Sequence, residues 1–327
     1  MHTHIIINPV SAGGKTRGRI PRILADIKNR LGDSPTYCIT EKPLDALRAA
    51  QRAIQQGCEL LIVTGGDGTL HEAVNGIFLN GIRPSPSFTL GIIASGTGNG
   101  LALSLGLPTS LEEQVELIAR GSSKEIDLGK LEVRSPRGTP VLHYFVNECQ
   151  IGIGAAVVRR VEAHQKNIGG LLAYGLGTLV TIIGHPNQEI QVRFAGGRTI
   201  DEPLLGLAIG NGSRTAAGMQ LTPGAVLDDG LLDTLVIHGQ SVFRRFRSFP
   251  KIYAGTQRDD PGFSYVRSTK LEIASSEPVL VAADGELLGT LPCSIGLIAG
   301  ALRVYAPIQP MEVTHATGTH QLAESRI

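Results

Sequence analysis

Residues Thr64-Gly65-Gly66-Asp67-Gly68-Thr69 constrain this chain more than any other stretch. The apolar run Leu60-Leu61-Ile62-Val63 leads into them, and apolar residues at Leu70, Val74, Ile77 and Phe78 follow at helical spacing. The pattern reads as a strand, a glycine turn and a helix N-terminus. Glycines let the backbone approach a ligand closely and reach left-handed φ. A helix N-terminus offers unpaired N–H groups and the positive end of its dipole, which suits phosphate. Thr69 is placed to cap the helix. A plain strand-to-helix turn is the bland alternative, but it needs fewer glycines than are packed here around Asp67.

The same unit recurs on either side. Ile5-Ile6-Ile7 has the unbroken apolar character of a strand buried on both faces, and Asn8-Pro9-Val10-Ser11-Ala12-Gly13-Gly14-Lys15-Thr16 follows it. Gly14-Lys15-Thr16 looks like the end of a GxxxxGK[ST] loop, but Pro9 stands where the first glycine belongs, so that motif fails. Ile20, Ile23, Leu24, Ile27 and Leu31 then mark a helix. A strand at 36–40 precedes a helix with Leu44, Leu47 and Ile54. A strand at 88–94 runs into Ser95-Gly96-Thr97-Gly98-Asn99-Gly100, followed by helical spacing at Leu111, Val115 and Ile118. Strands alternating with helices predict a doubly wound parallel sheet, α/β in class, with ligands outside the strand carboxyl ends. No GxGxxG occurs in these loops, so the dinucleotide fingerprint is missing.

Beyond about residue 125 the texture changes. Strand-like segments at 130–133, 141–148, 189–194, 204–210, 231–238, 270–274, 279–283 and 294–299 are separated by turn residues. They predict a second, mainly antiparallel β-sandwich or barrel, interrupted by helices near 155–183 and 241–256. The domain division expected is 1–125 and 126–304, with a polar, poorly patterned tail at 309–327.

Composition removes several classes. Net charge is +1 and Trp is absent, so nothing pulls the chain toward nucleic acid. Cys38, Cys58, Cys149 and Cys293 are scattered, which argues reduced thiols rather than a zinc site or disulfide framework. The N-terminus lacks a signal-peptide pattern, and the apolar stretch from Ile168 to Gly184 is glycine-rich and short for a membrane span, reading instead as a buried helix. The expected setting is cytoplasmic. HExxH and GxSxG are absent, so metalloprotease and serine-hydrolase chemistry is not indicated.

Taken together the three glycine loops resemble the diacylglycerol kinase catalytic-domain family of lipid kinases. Asn8-Pro9-Val10-Ser11 with Gly13-Gly14 is similar to that family's NPxSG loop. Gly65-Gly66-Asp67-Gly68-Thr69 matches its GGDGT motif and Gly96-Thr97-Gly98-Asn99 its GTGN loop. Asn147 with Gly152-Ile153-Gly154, Thr222-Pro223 with Asp228-Asp229-Gly230-Leu231-Leu232-Asp233, and Asp284-Gly285-Glu286 resemble its second-domain motifs in family order. Gly100 and Ala94 depart from common family residues, which bears on substrate identity more than on reaction type.

The resemblance implies an α/β nucleotide domain and a β-rich lipid domain, with a C-terminal segment (about 305–327) rejoining the first. It implies ATP and Mg²⁺ as cofactors, and transfer of the γ-phosphate to the hydroxyl of diacylglycerol or a related lipid. Gly65, Gly66 and Gly68 would line the phosphates, with Asn8, Ser11, Thr40, Thr69, Thr97 and Asn99 completing the nucleotide site. Asp67 would organise Mg²⁺-nucleotide. Asp284 is expected as general base, tuned by Glu286 on the same strand face; the rival assignment gives that role to Asp67. Asp284-Gly285 between apolar runs is also a hairpin signal. A structural Mg²⁺ is implied at Asp229 with the carbonyls of Val226 and Leu231. His71 is expected to make local hydrogen bonds. Arg244, Arg245, Arg247 and Lys251 beside Phe243, Phe246 and Phe249 read either as a solvated helix face or as a contact with anionic membrane, the partner a peripheral lipid kinase needs. A homodimer is compatible with the sequence. The competing functions are an NAD kinase-like enzyme and a non-catalytic nucleotide-binding protein.

Overall fold

A computed structural model describes residues 2–32, 35–81, 84–164, 180–215 and 218–308. Strands β1 (Thr3–Ile7), β2 (Thr36–Ile39), β3 (Leu60–Gly65) and β4 (Thr89–Ala94) pair in parallel, in the order β2-β1-β3-β4. Their apolar runs are explained by burial on both faces. Ile6, Leu61, Val63 and Leu90 pack with helices α2 (Asp45–Gln55) and α3 (Asp67–Ile77). Ile5, Ile7, Leu60 and Ile62 pack on the other side with α1 (Lys15–Leu31) and α5 (Leu111–Arg120). The sheet is therefore doubly wound, as the alternation predicts. A short helix, α4 (Gly100–Leu105), follows the third glycine loop and was not visible in the pattern.

The second half is an antiparallel sandwich of β5 (Ser123–Arg134), β6 (Pro140–Phe145), β7 (Glu148–Gly152), β8 (Gln188–Phe194), β9 (Thr199–Gly210), β10 (Leu232–His238), β11 (Phe263–Ser268), β12 (Lys270–Ala274), β13 (Leu280–Ala283) and β14 (Glu286–Tyr305). Leu131, Phe145, Ile151, Ile190, Leu207 and Ile295 are among its core side chains. Helices α6 (Ile153–His164) and α7 (Val242–Ala254) are attached to it. The expected strand 141–148 is two strands, because the chain turns at Val146-Asn147 and spends its N–H groups on Asp284. β11 was not anticipated: its burial does not alternate, so it lacks the half-buried strand signature.

The segment expected at 294–299 is the middle of the 20-residue β14. β14 pairs antiparallel with β5, β12 and β13, and then Val304 pairs in parallel with Leu90 of β4. One sheet thus runs through both halves, and Leu302, Val304 and Ala306 enter the core of the parallel half. The expected tail at 309–327 lies outside the described residues, as does most of the apolar stretch from Ile168. Its last residues, 180–184, are helical, with Val180 and Ile183 exposed rather than buried. All four cysteines are free. Among the described residues no helix is long and apolar enough to cross a membrane.

Candidate active site

Three loops leave the carboxyl ends of β1, β3 and β4 and are tied to one another. Asn8 donates through Nδ2 to Thr69 Oγ1 at 2.8 Å, joining the first loop to the second. Ser11 Oγ lies 2.9 Å from Ser95 Oγ, joining the first to the third. The second and third loops meet backbone to backbone: a Cβ on Gly96 would sit 2.5 Å from Gly66 Cα. Glycine is needed there for close approach rather than for φ. In the first loop the need is conformational, with Gly13 and Gly14 at φ 64° and 87°.

Gly66 is the cap residue of α3, so Thr69 is not the cap expected of it. Thr69 lies in the first turn and accepts from Asn8 instead. Asn99 folds back on its own loop: Oδ1 accepts from Gly96 N and Nδ2 donates to Gly96 O, both at 2.9 Å. It shapes the loop and leaves Thr97 exposed at the tip. Thr40 stands half-buried past the end of β2, its N–H donating to Ile7 O at 2.9 Å.

Asp67 opens α3. Burial raises its carboxyl above the ordinary value, the N–H groups of Gly100, Leu101 and Asn99 oppose that, and the charge of Asp284 adds to it. Asp284 itself is the turn residue between β13 and β14, at φ 47°, with Gly285 at 85°. The hairpin alternative for this dipeptide is thus also correct, since both residues take the left-handed values a two-residue turn requires. Asp284 is 6% exposed. Its Oδ1 accepts from the N–H groups of Asn147 (3.0 Å) and Glu148 (3.1 Å). Its Oδ2 accepts from Val146 N–H (3.0 Å) and stands 3.3 Å from His71 Nδ1.

That geometry gives Asp284 a structural role beside the one expected: a carboxylate held by three backbone donors and an imidazole organises the turn between β6 and β7. Asp284 and Glu286 do not share a strand face, because residues 284–285 form the turn. Glu286 is exposed and its Oε1 rests over the glycine loop, 2.5 Å from where a Cβ on Gly68 would be.

Further residues belong to this centre. Asn75, on α3, exchanges two 2.9 Å hydrogen bonds with the backbone of Tyr144, mimicking a strand partner and docking α3 on β6. Its Nδ2 also lies 3.3 Å from His71 Nε2. His143 stacks near His71 at 6.4 Å, and burial, with His71 beside it, pushes its pKa down to about 4. Glu148 is 5% exposed, and its Oε2 has no hydrogen-bond partner among the described residues. Burial drives its pKa up to about 8, against the bond from Gln150 and with help from the charges of Asp284 and Asp67. The signal that could have found Glu148 is a carboxylate set within the buried run Phe145-Val146-Asn147-Glu148-Cys149.

Gln150 donates through Nε2 to Glu148 Oε1 at 2.8 Å. It also lines a cavity that is partly open to solvent and walled mainly by apolar groups such as Val157, Leu207, Met219, Phe249 and Ile252. Gly154 lines it too, and a Cβ there would collide with Gln150 Oε1. The cavity and the carboxylate centre therefore meet at the Gln150–Glu148 pair.

Comparison with known proteins agrees with this arrangement. Residues 2–131 match the diacylglycerol kinase catalytic domain, and residues 147–306 match the YegS C-terminal NAD kinase beta sandwich-like domain. The chain belongs to the diacylglycerol kinase catalytic-domain family. Its relatives include the diacylglycerol kinase of Staphylococcus carnosus (strain TM300), 29% identical over 303 residues, covering 93% of this chain and 94% of that protein. A Bacillus anthracis str. Sterne protein proposed to be a diacylglycerol kinase aligns with a TM-score of 0.76 at 25% identity, over 94% of this chain and 95% of that one. Yeast NADH kinase aligns with a TM-score of 0.56 at 11% identity, over 99% of this chain and 90% of that one, which shows shared fold alone.

Within this family's chain the implied structural magnesium site does not fit. Asp229 Oδ2 is paired with the Arg267 guanidinium, and its Oδ1 accepts from Leu231 N–H at 3.0 Å. Arg267 Nε also reaches Asp233 at 3.3 Å. A cation bound with the carbonyls of Val226 and Leu231 would face a guanidinium already on the same carboxylate. Among the described residues no group of three or more His, Cys, Asp or Glu side chains could hold a metal.

Proposed function

We propose that this family member is an ATP-dependent lipid kinase that transfers the γ-phosphate to the hydroxyl of diacylglycerol or a related lipid. The observation that carries the proposal is the junction at Gln150–Glu148, where a residue that lines an apolar cavity is hydrogen-bonded to a buried carboxylate beside Asp284 and Asp67. Phosphoryl transfer asks for positioning and charge neutralisation more than covalent help. The N–H groups of Gly66 and Gly68 at the start of α3 would cradle the phosphates, with Asn8 and Thr69 fixing the loop around them.

The charge of Asp284 acts on both Asp67 and Glu148, so a magnesium ion arriving with the nucleotide suits Asp67; it would neutralise phosphate charge there. Glu286, exposed over Gly68, is the general base for the lipid hydroxyl. Asp284 positions the strand turn behind it. The NAD kinase-like alternative leaves the apolar cavity without an occupant.

The test is incubation with labelled ATP, Mg²⁺ and mixed micelles of diacylglycerol, monoacylglycerol, ceramide or sphingosine, with NAD in parallel. A labelled lipid lost in Glu286→Gln is the expected result. Labelled NADP would transfer the assignment to the alternative, and ATP binding without any product would leave a nucleotide-binding protein.

A further inference from the structure

The outer face of α7 and the neighbouring helical residues 180–184 form one surface. Arg245 makes it so. It is buried, and its Nη1 donates to Ile182 O at 3.0 Å and to His185 O at 2.6 Å. Its Nη2 donates to Asn187 Oδ1 at 3.2 Å, and Nε to Gln240 O at 3.1 Å. The guanidinium clips the two segments together and is not on the solvated face. Lys251 is also withdrawn from that face, held by Asp260 at 2.7 Å.

What remains outside is apolar and cationic. Phe243 is 80% exposed and Ile183 50%; Val180, Val242 and Phe246 are exposed beside them. Arg244 and Arg247 are exposed on the same helix. Neither 180–187 nor 242–254 contains an acidic residue. The inner sides of these segments, through Ile182, Arg245, Ser248, Phe249 and Ile252, line the apolar cavity. A helix whose inner face walls an apolar cavity thus presents aromatic side chains and exposed cations outward, Arg247 and also Arg244, whose guanidinium stands 3.9 Å from Asp260. Contiguous exposed apolar groups signal a docking surface, and the flanking positive charge matches an anionic bilayer.

We infer that this surface, built from residues 180–183 and α7, docks the protein on an anionic lipid bilayer with the cavity mouth against the membrane. Phe243, Phe246 and Ile183 enter the interface, while Arg244 and Arg247 contact lipid phosphates. The inference rests on the proposed lipid-kinase activity for its purpose, but not for its test.

The full-length protein is sedimented with phosphatidylcholine vesicles, with and without phosphatidylglycerol, at low and high salt. Arg244→Gln/Arg247→Gln is expected to lower partition onto the anionic vesicles roughly thirtyfold and to remove its salt dependence. Phe243→Ser/Phe246→Ser lowers it at both salt concentrations. Both double variants keep the wild-type melting temperature and turnover of short-chain, monomeric diacylglycerol, while losing turnover of vesicle-embedded diacylglycerol. Unchanged partition in both variants overturns the inference. So does wild-type protein that ignores anionic vesicles, an outcome that gives the face to a protein partner. Binding that follows these expectations without phosphorylation of either lipid form would uphold the surface and refute the kinase activity.

Discussion

Gln150 and Glu148 stand two residues apart on β7, so they share a strand face, and the Nε2 of one meets the Oε1 of the other at 2.8 Å. One side of this pair opens on the apolar cavity. The other faces Asp284 and Asp67. A two-residue repeat on a single strand therefore joins the pocket to the chemistry.

Replacing Gln150 with Met keeps the bulk and removes the polar contact. The lipid KM is expected to rise about fivefold to tenfold, the worth of one hydrogen bond, with the KM for ATP unchanged. Steady-state kinetics with each substrate varied in turn decides this. Equal rises in both KM values would place Gln150 outside the lipid junction.

Glu148 gives stability a pH dependence. Its carboxyl is raised from an ordinary 4.5 to about 8, chiefly by burial. Between those values the native protein binds more protons than the unfolded chain, so stability falls as pH rises through the window and levels off above it. Glu148→Gln removes that contribution, which is at most about 1.4 kcal/mol per pH unit. Urea melts of both proteins across the window should show a shallower decline in the variant. Parallel curves would contradict the assignment.

Asp284 and Glu286 should fail in different ways. Asp284→Ala leaves three buried N–H groups unpaired, each costing about 1–3 kcal/mol, so the variant is expected to melt well below wild type. Glu286→Gln touches an exposed side chain; its melting temperature should hold while kcat falls about a hundredfold or more. A stable, inactive Asp284→Ala beside an active Glu286→Gln would return the base to Asp284.

Arg267 makes the Asp229 turn independent of metal. Wild-type melting temperature should not respond to Mg²⁺ or a chelator in the absence of nucleotide. Arg267→Met leaves the carboxylates of Asp229 and Asp233 without their shared cation. That variant should melt lower and regain stability with Mg²⁺, by about 2–4 °C for each kcal/mol recovered. A chelator-sensitive wild type would restore the magnesium site.

The doubly wound half was legible in the chain because local patterns decide it. Ile5–Ile7 and Leu60–Val63 are unbroken apolar runs, and each leads into a glycine loop. The spacing of Leu70, Val74 and Ile77 fixes the helix that follows. The convergence of the three loops also follows from strand polarity, since all three leave carboxyl ends of parallel strands.

Tertiary structure alone assigned Asp284 to the turn between β6 and β7. The N–H groups that engage it come from residues 146–148, more than a hundred positions away, and no local pattern reports them. The length of β14 was hidden for the same reason: its last residues join β4 because Leu302 and Val304 complete a core begun by Leu61 and Leu90. The basic cluster on α7 shows the limit most plainly. Sequence spacing brought Arg244, Arg245, Arg247 and Lys251 together, but only packing decided which cations face solvent. A buried guanidinium needs carbonyl acceptors, and Ile182 and His185 supply them from a distant segment.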